Sequence, residues 1–341
     1  MSDFVSYKSE ISDFLDNFLK TKQQDLASSY FSKNVFERLL PLAVNGKMLR
    51  GSLLINTYEK LSGQKFSKES LAAAAALELA QTGFLIHDDI IDQDELRRGQ
   101  PTLHSQYSKV ALQKKYQQPE HVGESYAICI GDITFFLVYE LLASKLVKVF
   151  SHQLSVTAFG EMQDVELALM PGDKVTQESI LQMYTDKTAS YSICLPLMAG
   201  AILTDQNKTT LLQLNELGQT LGIIFQIKDD EIGLFGDQEK TGKPVGADIR
   251  EGKKTLYYLY LLQAAVDQEN LSQSFGNQNL DEAGVIATLN LIDKYGVKEK
   301  VAQDLTQLES QAKKQINNLQ LSAEFKQMMV QFLDKIINRV R

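Results

Sequence analysis

The sequence predicts an all-α fold, and three features of its residue pattern support this. Apolar residues recur at intervals of three and four in most segments, the spacing that places them on one face of a helix. Alternating runs of Val, Ile and Thr between turn residues, which are typical of strands, are scarce. Residues that interrupt helices are also few, with 6 prolines and 20 glycines in 341 residues. We therefore expect helices to form nearly all of the regular structure.

Four segments carry the helical pattern most clearly. In chain order they are ISDFLDNFLKT (11–21), the long stretch from Leu71 to Leu96, ITFFLVYELLASKLVKVF (133–150) and LLQLNELGQTLGIIFQIKDDEI (211–232). The second is rich in alanine and leucine, which have high helix propensity.

Breaks between helices are expected where glycine and proline cluster. These places are RRGQPT, QQPEHVG, MPGD and GDQEKTGKPVGADIREGK, and the polar stretch from Asp267 is predicted to be a surface loop. None of them has the length or composition of a flexible interdomain linker. The prediction is one domain over residues 1–341.

The composition is that of a globular protein, with 44% hydrophobic and 23% charged residues. The formal net charge of -8 argues against nucleic acid as a partner, because a phosphate backbone requires a basic surface. An anionic ligand would have to be held by local cations or by a metal ion.

The expected location is the cytoplasm, with no membrane span. No uninterrupted apolar segment has the length of a span, and MSDFVSYKSEISDFL lacks the blocks of a signal peptide. Cys129 and Cys194 are too few for a disulfide framework and lack the spacing of a zinc site. Both are expected to be reduced.

The segment HDDIIDQDELRRG, residues 87–99, crowds acids beside two arginines. On a helix, Asp88 and Asp92 share one face and lie about 6 Å apart along the axis. Their repulsion is relieved if a divalent cation lies between them. A solvated acidic helix end is the alternative, and for an isolated pair it would be favoured.

A second copy of the pattern favours the metal. FQIKDDEIG (225–233) repeats FLIHDDIID (84–92), with phenylalanine, isoleucine and the aspartate pair in the same register. Asp229 and Asp230 can then form a second acidic wall that faces the first. Ligand sets of oxygen alone favour magnesium, which is usually completed by substrate phosphates. A polyphosphate bound through magnesium is therefore the expected ligand.

Cations near these acids match a polyphosphate ligand. Arg97 and Arg98 follow the first acidic wall, and guanidinium groups can reach phosphate oxygens that the metal leaves free. Further cations occur at Lys47, Arg50, Lys187, Lys243, Lys253 and Lys254. Together they indicate two phosphate subsites, one bridged by metal and one formed by cations alone.

These motifs resemble the trans-isoprenyl diphosphate synthases, or polyprenyl synthetases. The resemblance runs from GK..R at Gly46 to EGKKT at Thr255, and DDIID, RRG, KT and FQIKDD appear in the family's order and spacing. It implies an isoprenoid-synthase helical bundle with a deep central cavity, diphosphates at its mouth, and a homodimer. The implied enzyme is a prenyltransferase that joins isopentenyl diphosphate head-to-tail to an allylic diphosphate (dimethylallyl, geranyl or farnesyl).

The resemblance also implies residue roles. Direct Mg²⁺ ligands would be Asp88, Asp92 and Asp229, supported by Asp89 and Asp230, and the catalytic set would add Lys187. The allylic diphosphate site would comprise Arg97, Lys187, Thr188, Gln226, Lys243 and Lys253. The isopentenyl diphosphate site would comprise Lys47, Arg50, Gln81 and Arg98.

Five positions depart from the usual pattern of the family. Gly233 stands where many members have a third aspartate, and Glu161 replaces the glutamine of GQxxD. Gly51 replaces a common proline and Met48 a common basic residue. Gln81 occupies a position that is histidine in many bacterial members and glutamine in others.

Product length is predicted from the residues that precede Asp88 on its helix. Gly83 has no side chain to stop a growing chain, and in the family bulky aromatics at this position accompany short products. Phe84 complicates this expectation, because a rotation of about 100° from Gly83 still brings its ring to the edge of the cavity. We therefore expect geranylgeranyl diphosphate as the main product, with farnesyl or longer polyprenyl diphosphates as alternatives.

Two alternative functions share part of this pattern. A class I terpene cyclase shares the DDxxD wall, but its second metal motif would follow an NSE or DTE pattern, which FQIKDDEIG does not. A non-catalytic partner subunit would be expected to lack one acidic wall or the arginine pair, and this chain has both.

Overall fold

Helices account for almost all regular structure in the computed structural model, which describes residues 4, 6–27, 29–97, 99–236, 245–264, 271 and 274–339. This confirms the all-α prediction. Among the described residues the strand content is a single short antiparallel hairpin, in which Leu96 pairs with Pro101 and Arg97 with Gln100.

The elements follow one another with short connections. In the first half they are α1 (Lys8–Asp25), α2 (Ser32–Val44), α3 (Leu49–Ser62), α4 (Lys68–Ile91), β1 (Leu96–Arg97), β2 (Gln100–Pro101), α5 (Leu103–Gln113), α6 (Pro119–Glu140) and α7 (Ser144–Leu169). A 3₁₀ turn (Gly172–Lys174), α8 (Gln177–Met183) and a π-helix (Tyr184–Cys194) come next. The remainder are α9 (Leu195–Leu203), α10 (Lys208–Phe235), α11 (Ala247–Glu251), α12 (Leu256–Ala264), α13 (Glu282–Lys294), α14 (Val297–Asn318) and α15 (Ala323–Ile337).

Contacts between residues divide the chain into two compact units. The N-terminal unit comprises Asp3–Phe150 with Pro196–Asn207, and the C-terminal unit comprises Ser151–Leu195 with Lys208–Arg341. The assignment of residues 1–341 to one domain stays a prediction.

Helix α4 organises the N-terminal unit. It packs against α1, α3 and α6, and its residues 73–77 are fully buried. Four of those five are alanines, whose small side chains let neighbouring helices approach closely. Gly51 on α3 contributes to this packing, because a Cβ there would lie 2.8 Å from Ile11 Cδ1 and 3.1 Å from the Ala74 carbonyl oxygen.

Helix α10 organises the C-terminal unit, where it packs against the π-helix, α14 and α15. Two glycines make the first of these contacts close. A Cβ at Gly218 would lie 2.8 Å from Cys194 Sγ, and one at Gly222 would overlap Ala189. The π-helix and α10 are therefore held nearly backbone to backbone, and each carries candidate site residues.

The long predicted helix from Leu71 to Leu96 is shorter at its C-terminal end than expected. A capping box between Ser67 and Ser70 starts α4, and the helix ends at Ile91 with Asp92 as its C-cap. Gln93 then adopts a left-handed conformation with φ of 56°, which turns the chain into the hairpin. Arg97 consequently lies on β1 and not on the helix.

Helix α6 is long and apolar enough to cross a membrane by length and composition alone, which the sequence analysis did not anticipate. In its most apolar window 39% of the residues are buried within the protein, and core helices of water-soluble proteins pass the same test. The helix is weak evidence for a span.

Candidate active site

The first acidic wall lies at the end of α4 in the N-terminal unit. Asp88 and Asp89 occupy its last turn, and the Asp92 backbone N–H donates to the Asp88 carbonyl oxygen at 2.8 Å. Helical spacing puts Asp88 and Asp92 on one face, as predicted, and both side chains are partly accessible. Asp89 is turned inward and is 6% exposed. The pair that can meet a ligand is therefore Asp88 and Asp92.

Arg97 folds back from the hairpin onto this wall. Its Nη2 donates to Asp88 Oδ2 at 2.8 Å and its Nε donates to Asp89 Oδ1, while Asp94 Oδ2 lies 3.9 Å from Nη2. Burial opposes the guanidinium charge, but the carboxylates of Asp88 and Asp89 outweigh burial and raise the pKa of Arg97. Arg97 therefore neutralises Asp88 and Asp89, whereas the sequence predicted that it would contact a phosphate.

Burial and the ion pair with Arg97 shift the pKa of Asp89 in opposite directions. It raises the pKa of Asp89 to about 6, although the charge of Arg97 acts to lower it. Desolvation thus outweighs attraction at this carboxylate.

The KT motif lies in the π-helix of the C-terminal unit, a rare geometry that is frequently found at functional sites. Lys187 Nζ donates to Asp164 Oδ2 at 2.6 Å and lies 2.9 Å from Glu161 Oε2, both on α7. Gly160 makes this approach possible, because a Cβ there would overlap the Lys187 backbone. Glu161 thus places a second carboxylate on Lys187 where the family usually has an uncharged amide.

A chain of hydrogen bonds links the π-helix to α10. Thr188 Oγ1 donates to Gln226 Oε1 at 2.5 Å, and Gln226 Nε2 donates to Asp230 Oδ1 at 2.7 Å. The Tyr184 hydroxyl donates to the other oxygen of Asp230 and accepts from the Leu256 backbone N–H at 3.3 Å. These bonds fix the orientation of Thr188 and Gln226.

The buried end of this chain holds a perturbed pair. Burial raises the pKa of Asp230 well above its usual range, and the charge of Asp248 adds to the effect. Burial also raises the pKa of Tyr184, with the charge of Asp230 acting in the same direction.

Asp229, the first residue of the second acidic wall, has a side chain that is 49% exposed. It meets a cation that sequence reasoning missed: Arg339 Nη2 lies 2.8 Å from Asp229 Oδ1, and the guanidinium carbon lies 4.3 Å from the centre of the Phe225 ring. Arg339 follows α15, far from α10 in sequence, and no motif marks it.

Asp248 occupies the space that the missing third aspartate of this wall would need. A Cβ at Gly233 would overlap the Asp248 carboxylate, so glycine at 233 leaves room for an acid supplied by α11. Lys253 lies beside it, with Nζ 3.7 Å from Asp248 Oδ1 and 2.6 Å from Glu251 Oε2. The sequence analysis did not identify Asp248, whose position depends on a contact between α10 and α11.

Three of the residues predicted to bind isopentenyl diphosphate lie in the N-terminal unit. Lys47 precedes α3, Arg50 is in its first turn, and Gln81 is on the neighbouring α4. The Gly51 backbone N–H donates to buried Glu78 Oε1 at 2.7 Å, a bond that the proline usual here could not make. It ties the start of α3 to α4, one turn from Gln81.

Two predicted residues cannot be placed. Arg98 and Lys243 lie outside the described residues.

The surroundings of Gly83 differ from the sequence-based expectation of open space. A Cβ at Gly83 would lie 3.1 to 3.3 Å from three atoms of the Phe135 ring on α6. Phe84 packs edge-to-face on the same ring, with centroids 4.9 Å apart. The volume beside Gly83 is thus filled from another helix, which the sequence near Asp88 could not reveal.

The Asp89 pKa predicts how stability depends on pH. Folding raises this pKa from 3.8 to about 6, so the folded state binds the proton more tightly than the unfolded state. The free energy of unfolding should therefore fall as pH rises through this window. Urea unfolding in a metal chelator should show the wild type losing roughly 1–3 kcal/mol relative to Asp89→Asn between about pH 4 and about pH 7. Parallel pH profiles of the two proteins would contradict this assignment.

Comparison with known proteins identifies the family. Residues 33–292 match the family model described as polyprenyl synthetase. The geranylgeranyl diphosphate synthase of Saccharolobus solfataricus is 31% identical over 294 residues, which cover 83% of this chain and 81% of that protein. A short chain isoprenyl diphosphate synthase of Methanocaldococcus jannaschii is 32% identical over 261 residues, covering 74% of this chain and 73% of the relative.

A solved structure agrees with these relatives. The geranylgeranyl pyrophosphate synthase of Corynebacterium glutamicum, crystallised with isoprenyl diphosphate and magnesium, superposes with a TM-score of 0.91 at 26% identity, and 99% of each chain is covered. The chain therefore belongs to the polyprenyl synthetase family and is a prenyltransferase that elongates prenyl chains.

Proposed function

We propose that this enzyme condenses isopentenyl diphosphate with dimethylallyl, geranyl or farnesyl diphosphate, and that its main product is geranylgeranyl diphosphate. The observation that carries the proposal is the ion-paired group at the end of α4, where Arg97 is held against Asp88 and Asp89 directly beside Asp92. Carboxylates for a metal and a guanidinium for a phosphate are thus combined in one segment. The Saccharolobus and Corynebacterium relatives support the product length by their names.

Magnesium is the proposed cofactor, in several ions that bridge to diphosphate. The family is magnesium-dependent, and the available donors fit, since Asp88, Asp92 and Asp229 offer only accessible carboxylate oxygens. Bound magnesium would neutralise the charge that develops on the departing pyrophosphate. We infer these three aspartates to be its ligands, with Asp89 and Asp230 in support.

The chain's own cations would hold the allylic diphosphate. We assign this role to Arg97, Lys187 and Lys253, with Lys243 from outside the described residues. Each of the first three now contacts carboxylates of its own unit. A phosphate oxygen can replace a carboxylate oxygen on these groups with similar hydrogen-bond geometry.

Thr188 and Gln226 are suited to face an allylic cation. The Thr188 hydroxyl donates a hydrogen bond to Gln226 Oε1, so the lone pairs of the hydroxyl oxygen remain available to a positive centre. Gln226 donates in turn to Asp230, whose other carboxylate oxygen accepts from the Tyr184 hydroxyl. Such fixed dipoles stabilise a developing charge without reorganising. The C–O bond of the allylic diphosphate breaks to release pyrophosphate, the double bond of isopentenyl diphosphate attacks the resulting cation, and the departing pyrophosphate accepts the proton that is then lost. No side-chain nucleophile is therefore required.

The isopentenyl diphosphate site is assigned to Lys47, Arg50 and Gln81, with Arg98 outside the described residues. The bond between Gly51 and Glu78 supports this assignment, because it fixes α3 next to α4. Gln81 Oε1 is buried and has no hydrogen-bond partner among the described residues. If the Gln81 side-chain amide were rotated by about 180°, its NH₂ group could donate to a phosphate oxygen.

A homodimer is also proposed, as expected from the family. Large apolar side chains are exposed along one stretch of α6 and along one stretch of α7, and exposed apolar surface of this kind favours a partner. These side chains are Ile128, Phe136 and Tyr139 on α6 and Phe159, Met162, Val165 and Leu169 on α7. The proposed location is the cytoplasm, since the charge of the substrates keeps them in water.

Removal of a metal ligand tests the proposal. Asp88→Ala and Asp229→Ala should each lower the condensation rate by at least about 100-fold, because charge on the leaving pyrophosphate is no longer balanced. Glu231→Ala, on α10 two residues beyond Asp229, is the matched control and should keep near-normal turnover. Circular dichroism should show folded variants throughout. Near-normal turnover in either aspartate variant would overturn the model of paired acidic walls.

The two phosphate sites should separate kinetically. Arg50→Ala should raise the KM for isopentenyl diphosphate about 10-fold, whereas Lys187→Ala should raise the KM for the allylic substrate and lower kcat. Lys313→Ala, on the surface of α14, controls for loss of a cation. Because Lys187 also neutralises Glu161 and Asp164, the melting curve of its variant must be recorded. Equal changes in both KM values with unaltered kcat would argue against two distinct sites.

A further inference from the structure

The face of α4 that carries Asp88 also carries an aromatic side chain one turn earlier. Phe84 precedes Asp88 by four residues, so the two share a face and are separated by about 6 Å along the axis. A prenyl chain that grows from a diphosphate held at Asp88 towards the N-terminal end of α4 would meet this ring first.

Phe84 does not stand alone, because a ring from α6 is packed against it. The Phe84 and Phe135 rings meet edge to face, with centroids 4.9 Å apart and an interplanar angle of 73°. His87 holds the other side of Phe135, with ring centroids 5.7 Å apart. Gly131, one turn before Phe135, lets α6 approach, because a Cβ there would overlap the His87 ring. Two ring contacts, together with the close approach of α6 to His87, therefore fix the position of the Phe135 ring within one unit.

Gly83 provides the seat for this ring. A Cβ at position 83 would lie 3.1 Å from Phe135 Cζ, 3.2 Å from Cε2 and 3.3 Å from Cε1. The absent side chain of residue 83 is thus replaced in space by the Phe135 ring. The sequence alone suggests open space beside Gly83, but in the structure the Phe135 ring occupies this space.

The burial of these residues separates the ring pair from the core beneath it. Phe84 and Phe135 are each partly accessible, whereas Leu79 and Ala76, farther down α4, are fully buried. A chain that passed the two rings would enter close-packed interior.

We propose that Phe135 is a specificity-determining residue for product length, and that its ring, seated on Gly83 beside Phe84, stops elongation at the geranylgeranyl stage. The inference rests on the proposed condensation and adds to it a residue from a different helix. Truncating the Phe135 ring empties the volume that it occupies beside Gly83, so the enzyme should make longer polyprenyl diphosphates.

The test is product analysis by mass after dephosphorylation, with farnesyl diphosphate, excess isopentenyl diphosphate and magnesium. Phe135→Ala should lengthen the main product by at least one isoprene unit while it retains the first condensation. Tyr30→Ala is the control, because this aromatic side chain of the same unit is 84% exposed, lies outside the proposed dimer surface and should leave the product unchanged. Phe135→Leu, a milder change, covers the case in which the alanine variant does not fold.

A rescue variant makes the test specific to the contact. In the Phe135→Ala background, Gly83→Leu refills the vacated volume from α4 and should restore products of wild-type length. A wild-type product distribution in an active Phe135→Ala or Phe135→Leu enzyme would overturn the inference and leave the proposed function standing. An inactive wild type would overturn the proposed function, and this inference with it.

Discussion

Arg97 compensates the carboxylates of Asp88 and Asp89 at the end of α4, and the candidate site depends on this compensation. Asp89 is almost fully buried and Asp88 is partly buried, so their charges repel in a poorly solvated place. Breaking a buried ion pair of this kind costs about 3–5 kcal/mol, because it leaves a charge uncompensated. The hairpin that returns Arg97 to α4 is therefore part of the candidate site.

The same balance of charge recurs in the C-terminal unit. Lys187 is held by Asp164 and Glu161, Asp229 by Arg339, and Asp248 by Lys253. A ligand that brings both cations and anions, as a magnesium diphosphate does, can exchange with such pairs without leaving either charge uncompensated. This explains how strongly acidic segments can persist in a folded chain and still be available to the proposed metal.

Much of this arrangement could be predicted from the sequence, because it depends on local spacing. The helical period, the Asp88 and Asp92 pair, and the repeated motif at Phe225 all follow from positions near one another in the chain. The end of α4 at Asp92 was missed, since it is determined by the left-handed turn at Gln93. The π-helix around Lys187 was missed too, because its register is set by close packing on α10.

Other features depend on contacts between residues distant in sequence, and no local pattern marks them. Asp248 fills the space left by Gly233, Arg339 returns from the C-terminal end to Asp229, and Phe135 covers Gly83 from α6. From the sequence, Gly233 indicates a missing metal ligand and Gly83 indicates open space. The structure shows that each glycine accommodates a side chain from elsewhere.

Incorporation of radiolabelled isopentenyl diphosphate tests the central claim most directly. The wild-type enzyme should transfer the label to an allylic diphosphate with magnesium present and lose this activity when the metal is chelated. The dephosphorylated product should be mainly geranylgeraniol. No incorporation with dimethylallyl, geranyl or farnesyl diphosphate, or release of a cyclic hydrocarbon from an allylic substrate alone, would contradict the account.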